Sequence, residues 1–141
     1  MASTAVMAAV RARVDALWSR TPVRYPNEAD PDDGLQVPAD KEPFLALQYP
    51  LADEEQITVG APGRNVFREE GVIRFVLQIP RGAGVEEYSG WLDELRAGFR
   101  GKQFGGVTTY AASPATLDDR NENGGYWAMS CAVPYKFDLF G

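Results

Sequence analysis

Apolar residues recur along this chain with two different periods, and the changes of period mark out its elements. In residues 4–19, Val6, Val10, Val14, Leu17 and Trp18 stand three or four positions apart, the spacing of one helix face. Ser3 or Thr4 is available as N-cap, and Arg11, Arg13 and Arg20 fall largely off the stripe. A second helix is predicted over 85–100, with Tyr88, Trp91, Leu92, Leu95 and Phe99 as its stripe and Gly101 closing it. A membrane-surface helix would resemble the first of these. Asp15 and the modest basic charge favour a core-facing helix instead.

Elsewhere the period drops to two. From Gly71 onward Ile73, Phe75, Leu77 and Ile79 alternate with positions such as Arg74 and Gln78, as in a half-buried strand. Trp127, Met129, Cys131, Val133, Tyr135 and Phe137 share one face of the final stretch, YWAMSCAVPYKFDLF. Pro134 has no N–H to give a ladder, so a free edge or a bulge is expected there. Shorter strands are predicted at Val23–Tyr25, at 44–51, at 55–63 with Ile57 and Val59 on one face, and at 107–111. Arg64–Glu70 are expected at the tip or approach of a hairpin. The stretch 113–125 reads as a polar loop, and residues 28–42 form an acidic, Pro-rich one. The predicted fold is α+β: a single domain over 1–141 with a largely antiparallel or mixed sheet. Its two amphipathic helices pack on one face, and strand edges are left available to a neighbouring subunit.

Composition narrows the function. With 141 residues, 45% of them hydrophobic, the chain can bury one core. A net charge of −6 and a pI of about 4.6 oppose nucleic-acid binding, which depends on phosphate neutralisation. No window approaches the roughly 18 apolar residues of a membrane span. The N-terminus has no basic leader, so the expectation is a soluble protein made in the cytoplasm. One cysteine, Cys131, suits a reducing compartment, and the absence of histidine removes Ser/His/Asp and Cys/His catalysis and most zinc sites.

The remaining candidate chemistry is weak. PRGAGVEE at 80–87 has Glu87 where a dinucleotide fingerprint needs its third glycine, and Glu86 and Glu87 would repel a phosphate. The segment reads as a structural turn. DPDDG at 30–34 fails as a calcium loop, because the twelfth position from Asp30 is Lys41. The carboxylate pairs Glu69/Glu70, Glu86/Glu87, Asp93/Glu94 and Asp118/Asp119 are expected on solvated faces. Cys131 reads as an inert core thiol. No catalytic, cofactor or metal residue is assigned, and no enzyme activity is expected. The other class of function is a small-ligand domain or enzyme using Trp91, Tyr126, Trp127, Tyr135 and Phe137 as a pocket.

The order and spacing of several motifs resemble a known family. YPN at 25–27 follows the first helix, and PFL at 43–45 opens a strand. GRNVFREEGVIRFVLQIPRGAG spans 63–84, FRG ends the second helix at 99–101, and GGYWAMSCAVPYKFD at 124–138 ends in Pro-aromatic. In this the chain resembles the small tail terminator proteins of long-tailed phages and prophages. The resemblance implies a structural virion protein that assembles as a homo-oligomeric, typically hexameric, ring on the end of the tail tube. There it stops tube growth and offers a surface to the head-completion or stopper protein. A head–tail stopper is a neighbouring reading. The terminator resemblance implies residence at the head-proximal end of the virion tail, after assembly in the host cytoplasm. It also implies partners in the tube protein and the head-completion protein, with no cofactor, membrane or specific nucleic acid. The expected inter-subunit or tube contact is Arg64, Asn65, Phe67, Arg68, Glu69 and Glu70, with the 28–42 loop facing a partner or the lumen.

Overall fold

Both amphipathic segments fold as helices, and both lie against the same side of a sheet built on the two longest period-two runs. The computed structural model describes residues 1–27, 42–118 and 125–141. Its elements are α1 (Thr4–Leu17), β1 (Val23–Arg24), β2 (Phe44–Gln56), β3 (Val66–Pro80), α2 (Glu86–Phe99), β4 (Gln103–Phe104), β5 (Val107–Thr109), β6 (Thr116–Asp118) and β7 (Tyr126–Phe140). The strand order is β1-β2-β3-β7-β5-β4, with β6 also pairing with β7. Among the described residues, β1 and β2 pair in parallel and the other pairs are antiparallel. The fold is therefore α+β with a mixed, curled sheet.

Alternation sends every second residue of β3 to the helix side, so Ile73, Phe75, Leu77 and Ile79 are all buried. Register brings Leu45 and Met129 beside Leu77, Leu47 and Cys131 beside Phe75, and Val133 beside Ile73. Onto this surface α1 presents Val6, Val10 and Val14, and α2 presents Leu92, Leu95 and Phe99, all buried. Phe99 packs against Phe75 and Phe104 at centroid distances of 4.9 and 5.5 Å. Burial on this scale supplies most of the stability, since each large apolar side chain contributes about 1.5–3 kcal/mol. In α2, Glu86 and Glu87 occupy the first turn and Arg96 the last, matching the helix dipole at both ends. Gly101 follows with φ 59°, the left-handed conformation that ends a helix.

Several boundaries differ from the sequence reading. The separate strand expected over 55–63 does not exist: β2 runs unbroken in sequence from Phe44 to Gln56, with one irregularity between Gln48 and Leu51. Beyond Leu51 both faces of β2 carry polar residues, so alternation vanishes while ladder pairing with β3 continues. For the same reason β3 begins at Val66 rather than Gly71. The loop predicted over 113–125 contains β6, which pairs Thr116, Leu117 and Asp118 with β7. β4 escaped the reading, although Gly105 and Gly106, with φ of 54° and 84°, form the two-residue hairpin turn that Gly-Gly announces. Ser3 precedes α1 in extended conformation, but its hydroxyl makes no capping bond.

Pro134 sits on a central strand, where its effect falls on one side only. Its carbonyl accepts from Tyr110 N–H on the side away from β3, so its missing donor also faces that way. There the second edge of β7 is interrupted, between β5 and β6. The turn at 81–84 is structural. Gly82 and Gly84 take φ of 86° and 83°, and Arg81 N–H donates to the Gly125 carbonyl. The calcium-like residues 30–34 and most of the acidic 28–42 loop lie outside the described residues. No described helix is long and apolar enough to cross a membrane.

Candidate functional site

The distal half of the β2–β3 hairpin is the part of the fold that the core does not explain. Residues 57–64 are all exposed, Val59 at 82%, yet their conformation is fixed from within. Asn65 is buried, and its Oδ1 accepts from Ala61 N–H at 3.2 Å and from the Thr58 hydroxyl at 3.3 Å. Thr58 Oγ1 in turn accepts from Val66 N–H at 2.8 Å. Gly60 and Gly63 supply φ of 89° and 85°, which side chains with a Cβ rarely adopt. Asn65 and Gly141 exchange both main-chain bonds at 3.0 Å, so Gly141, just past β7, braces the tip.

The six residues expected as a contact divide into three groups. Arg64 stands exposed on the tip, with no ion-pair partner among the described residues. Arg68 and Glu70 lie on the outer face of the sheet, opposite the helices. Arg68 is engaged there by Asp138, through Nε at 2.8 Å and Nη2 at 3.1 Å. Those bonds raise the Arg68 pKa and hold the Asp138 carboxyl below its ordinary value. Asn65 and Glu69 are buried and Phe67 is half-buried, so they shape the hairpin.

Glu69 overturns the expectation that its carboxylate pair is solvated: it is only 6% exposed. It lies on the helix side of β3, where its Oε2 accepts from the Tyr135 hydroxyl at 2.6 Å and from Ser3 N–H at 3.2 Å. The carboxylate thus ties the start of α1 to the sheet, where an anion also complements the helix dipole. Burial raises the Tyr135 pKa, and its bond to Glu69 raises it further. The sequence carries no signal for this, because adjacent Glu69 and Glu70 look identical until strand alternation separates them.

On the outer face the rows are Leu51–Val72–Pro134, Asp53–Glu70–Lys136 and Glu55–Arg68–Asp138. Leu51 is 55% and Tyr110 45% exposed, and with Val72 and Pro134 they form the apolar floor of an open groove of about 340 Å³. Asp53 and Glu70, directly opposite in register, border it.

The aromatic residues considered as a pocket are packing residues. Tyr126 and Tyr135 are buried, and Trp91, Trp127 and Phe137 pack against the core cluster. Tyr126 belongs to the other side of the sheet, where its ring meets Phe44 edge-on at 5.4 Å and its hydroxyl donates to the Glu42 carbonyl. A different cleft, of about 360 Å³, lies beside α1 and is lined by Met7, Arg11, Tyr25 and Tyr49. Arg11 stacks 3.8 Å above the Tyr25 ring. Burial, reinforced by Asp15, pushes the Tyr25 phenol up to about 12. Burial likewise lifts Tyr49 to about 12, and its hydroxyl has no hydrogen-bond partner among the described residues. Both phenols therefore stay protonated at neutral pH. Cys131 is buried too, and its thiol is raised to about 11, chiefly by burial.

Two helices on one face of a curled sheet, and a long hairpin ending in a braced tip, define a small α+β protein with features suited to contact. The comparisons give the class a name. The phage tail terminator protein family matches residues 5–135, most of the chain, and the chain belongs to that family. It is a phage tail assembly protein, from a family of structural proteins that act with other tail components in the virion. A solved structure 19% identical to it covers 100% of this chain and 99% of its own, with a TM-score of 0.63. At that identity the likeness shows the fold alone. A comparison with curated proteins finds no match.

Proposed function

We propose that the chain closes into a ring, hexameric in the simplest case, on the end of the phage tail tube. There it stops tube polymerisation and offers the surface that joins tail to head. The observation that carries this reading is the family match over 5–135. The fold supports it with an exposed hairpin tip that differs in character from the outer face of the sheet. Unlike surfaces meeting head to tail generate rings when the rotation closes. In this reading Arg64, Arg68 and Glu70 meet a subunit or the tube, while Asn65, Phe67 and Glu69 hold the shape they depend on.

Electron microscopy of particles made without this gene tests the reading. Abnormally long, headless tails are expected, because nothing would limit tube growth. Tails of normal length detached from heads would assign a joining role instead. Intact, infectious particles would overturn the assembly function altogether.

A further inference from the structure

The outer face of the sheet carries a charge imbalance that the described residues do not resolve. Within the three rows described above, Asp53, Glu55, Glu70 and Asp138 face Arg68 and Lys136, and Arg68 is already taken by Asp138. Asp53 and Glu70 are cross-strand neighbours of like charge, an arrangement that costs stability in an antiparallel pair. Neither has an ion-pair partner among the described residues. Beside them lies the apolar floor of Leu51, Val72, Pro134 and Tyr110, uncovered on the side away from the helices.

The hairpin tip has the complementary character. It offers Val59, 82% exposed, and Arg64, an exposed cation with no ion-pair partner among the described residues, on a turn held rigid by Asn65. A pre-ordered knob loses little entropy on docking, so its contacts convert efficiently into affinity. The same chain cannot satisfy itself. Leu51 and Val59 belong to one extended arm, and the six steps from Leu51 to Ile57 alone span roughly 20 Å at about 3.3 Å each.

We propose that the tip of one copy docks on the outer sheet face of the next. Val59 would cover the Leu51–Val72–Pro134–Tyr110 groove, and Arg64 would sit against Asp53 and Glu70. The contact joins two different surfaces, so it repeats from copy to copy until a ring closes. This inference rests on the ring reading above and specifies which surfaces close it.

Two measurements on the full chain test it. The first is sedimentation velocity, run alone and with tail tubes purified from phage lacking this gene. Wild type is expected to assemble, and Arg64→Glu to lower the assembled fraction about tenfold or more, since like charges then meet across the contact. Adding Glu70→Lys to Arg64→Glu is expected to restore assembly. If Arg64→Glu assembles as wild type, or Glu70→Lys fails to restore it, the groove assignment falls and the ring reading stands. If wild type never assembles under either condition, both fall. The second measurement covers the case in which a charge variant fails to fold. The double variant Leu51→Cys, Val59→Cys, oxidised after assembly, is expected to give a ladder of covalent multimers absent from either single variant. Cys131 is buried and stays out of the reaction. Assembled protein without that ladder would overturn the proposal.

Discussion

Glu69 shows how a single side chain acquires its role from packing. Its Oε2 accepts from both the Tyr135 hydroxyl and Ser3 N–H, so one atom links β7 and the start of α1 to β3. Replacing it with alanine leaves both donors without an acceptor in a buried place. Glu69→Ala is therefore expected to cost about 2–3 kcal/mol, within the range for buried hydrogen bonds to a charged group. Urea denaturation should show the loss as a lower midpoint with an unchanged slope. Gly71 makes a second residue-scale case. A Cβ there would meet the Leu51 carbonyl oxygen and lie 2.7 Å from the Tyr135 hydroxyl oxygen. Gly71→Ala is expected to destabilise by about 1–3 kcal/mol through overpacking, and the thermal midpoint measures it. The displaced Tyr135 hydroxyl would also lose its grip on Glu69.

At the scale of elements, the hairpin tip and the helices depend on opposite physics. The helices are held by burial: Val6, Val10, Val14, Leu92 and Phe99 are fully enclosed. Phe99→Ala is expected to cost about 3–5 kcal/mol, read as global unfolding in denaturant. The tip buries almost nothing, and Asn65 holds it through hydrogen bonds. Asn65→Ala is expected to cost about 1–2 kcal/mol and to accelerate amide exchange locally over 57–66. Equal acceleration throughout β3 would show that the tip is not a separate unit.

These elements also divide by how well the sequence revealed them. Both helices and the buried runs of β3 and β7 were legible because one face is apolar and the other is not. The distal parts of β2 and β3 were not, because both of their faces carry charge and their pairing comes from the ladder alone. β6 was hidden in a polar loop for the same reason. β4 left a signal in Gly105–Gly106. The candidate site was legible as a charged hairpin but not as a set of roles. Arg64 is exposed, Arg68 is tied to Asp138 and Glu69 is buried, although all three are charged residues within six positions.

For the whole molecule, the proposed ring contact joins an exposed cation to exposed carboxylates beside an apolar groove. Raising salt from about 0.1 to 1 M shortens the Debye length from about 10 to 3 Å and should weaken assembly. The apolar part of the contact is insensitive to screening, so the assembled fraction measured by sedimentation is expected to fall without vanishing. Assembly that strengthens with salt would point to a contact dominated by the apolar groove.

The sequence by itself determined the α+β class, the two helix stripes and the buried faces of the two longest strands. Periodicity is a local record of which side meets the core. Its motif order also pointed to the tail terminator family. Only the tertiary structure decided that β2 runs on to Gln56 with no separate strand over 55–63, and that Glu69 fastens α1. It alone set Asp53 against Glu70 beside an open groove. Those facts depend on register and on residues distant in sequence, which no local pattern encodes.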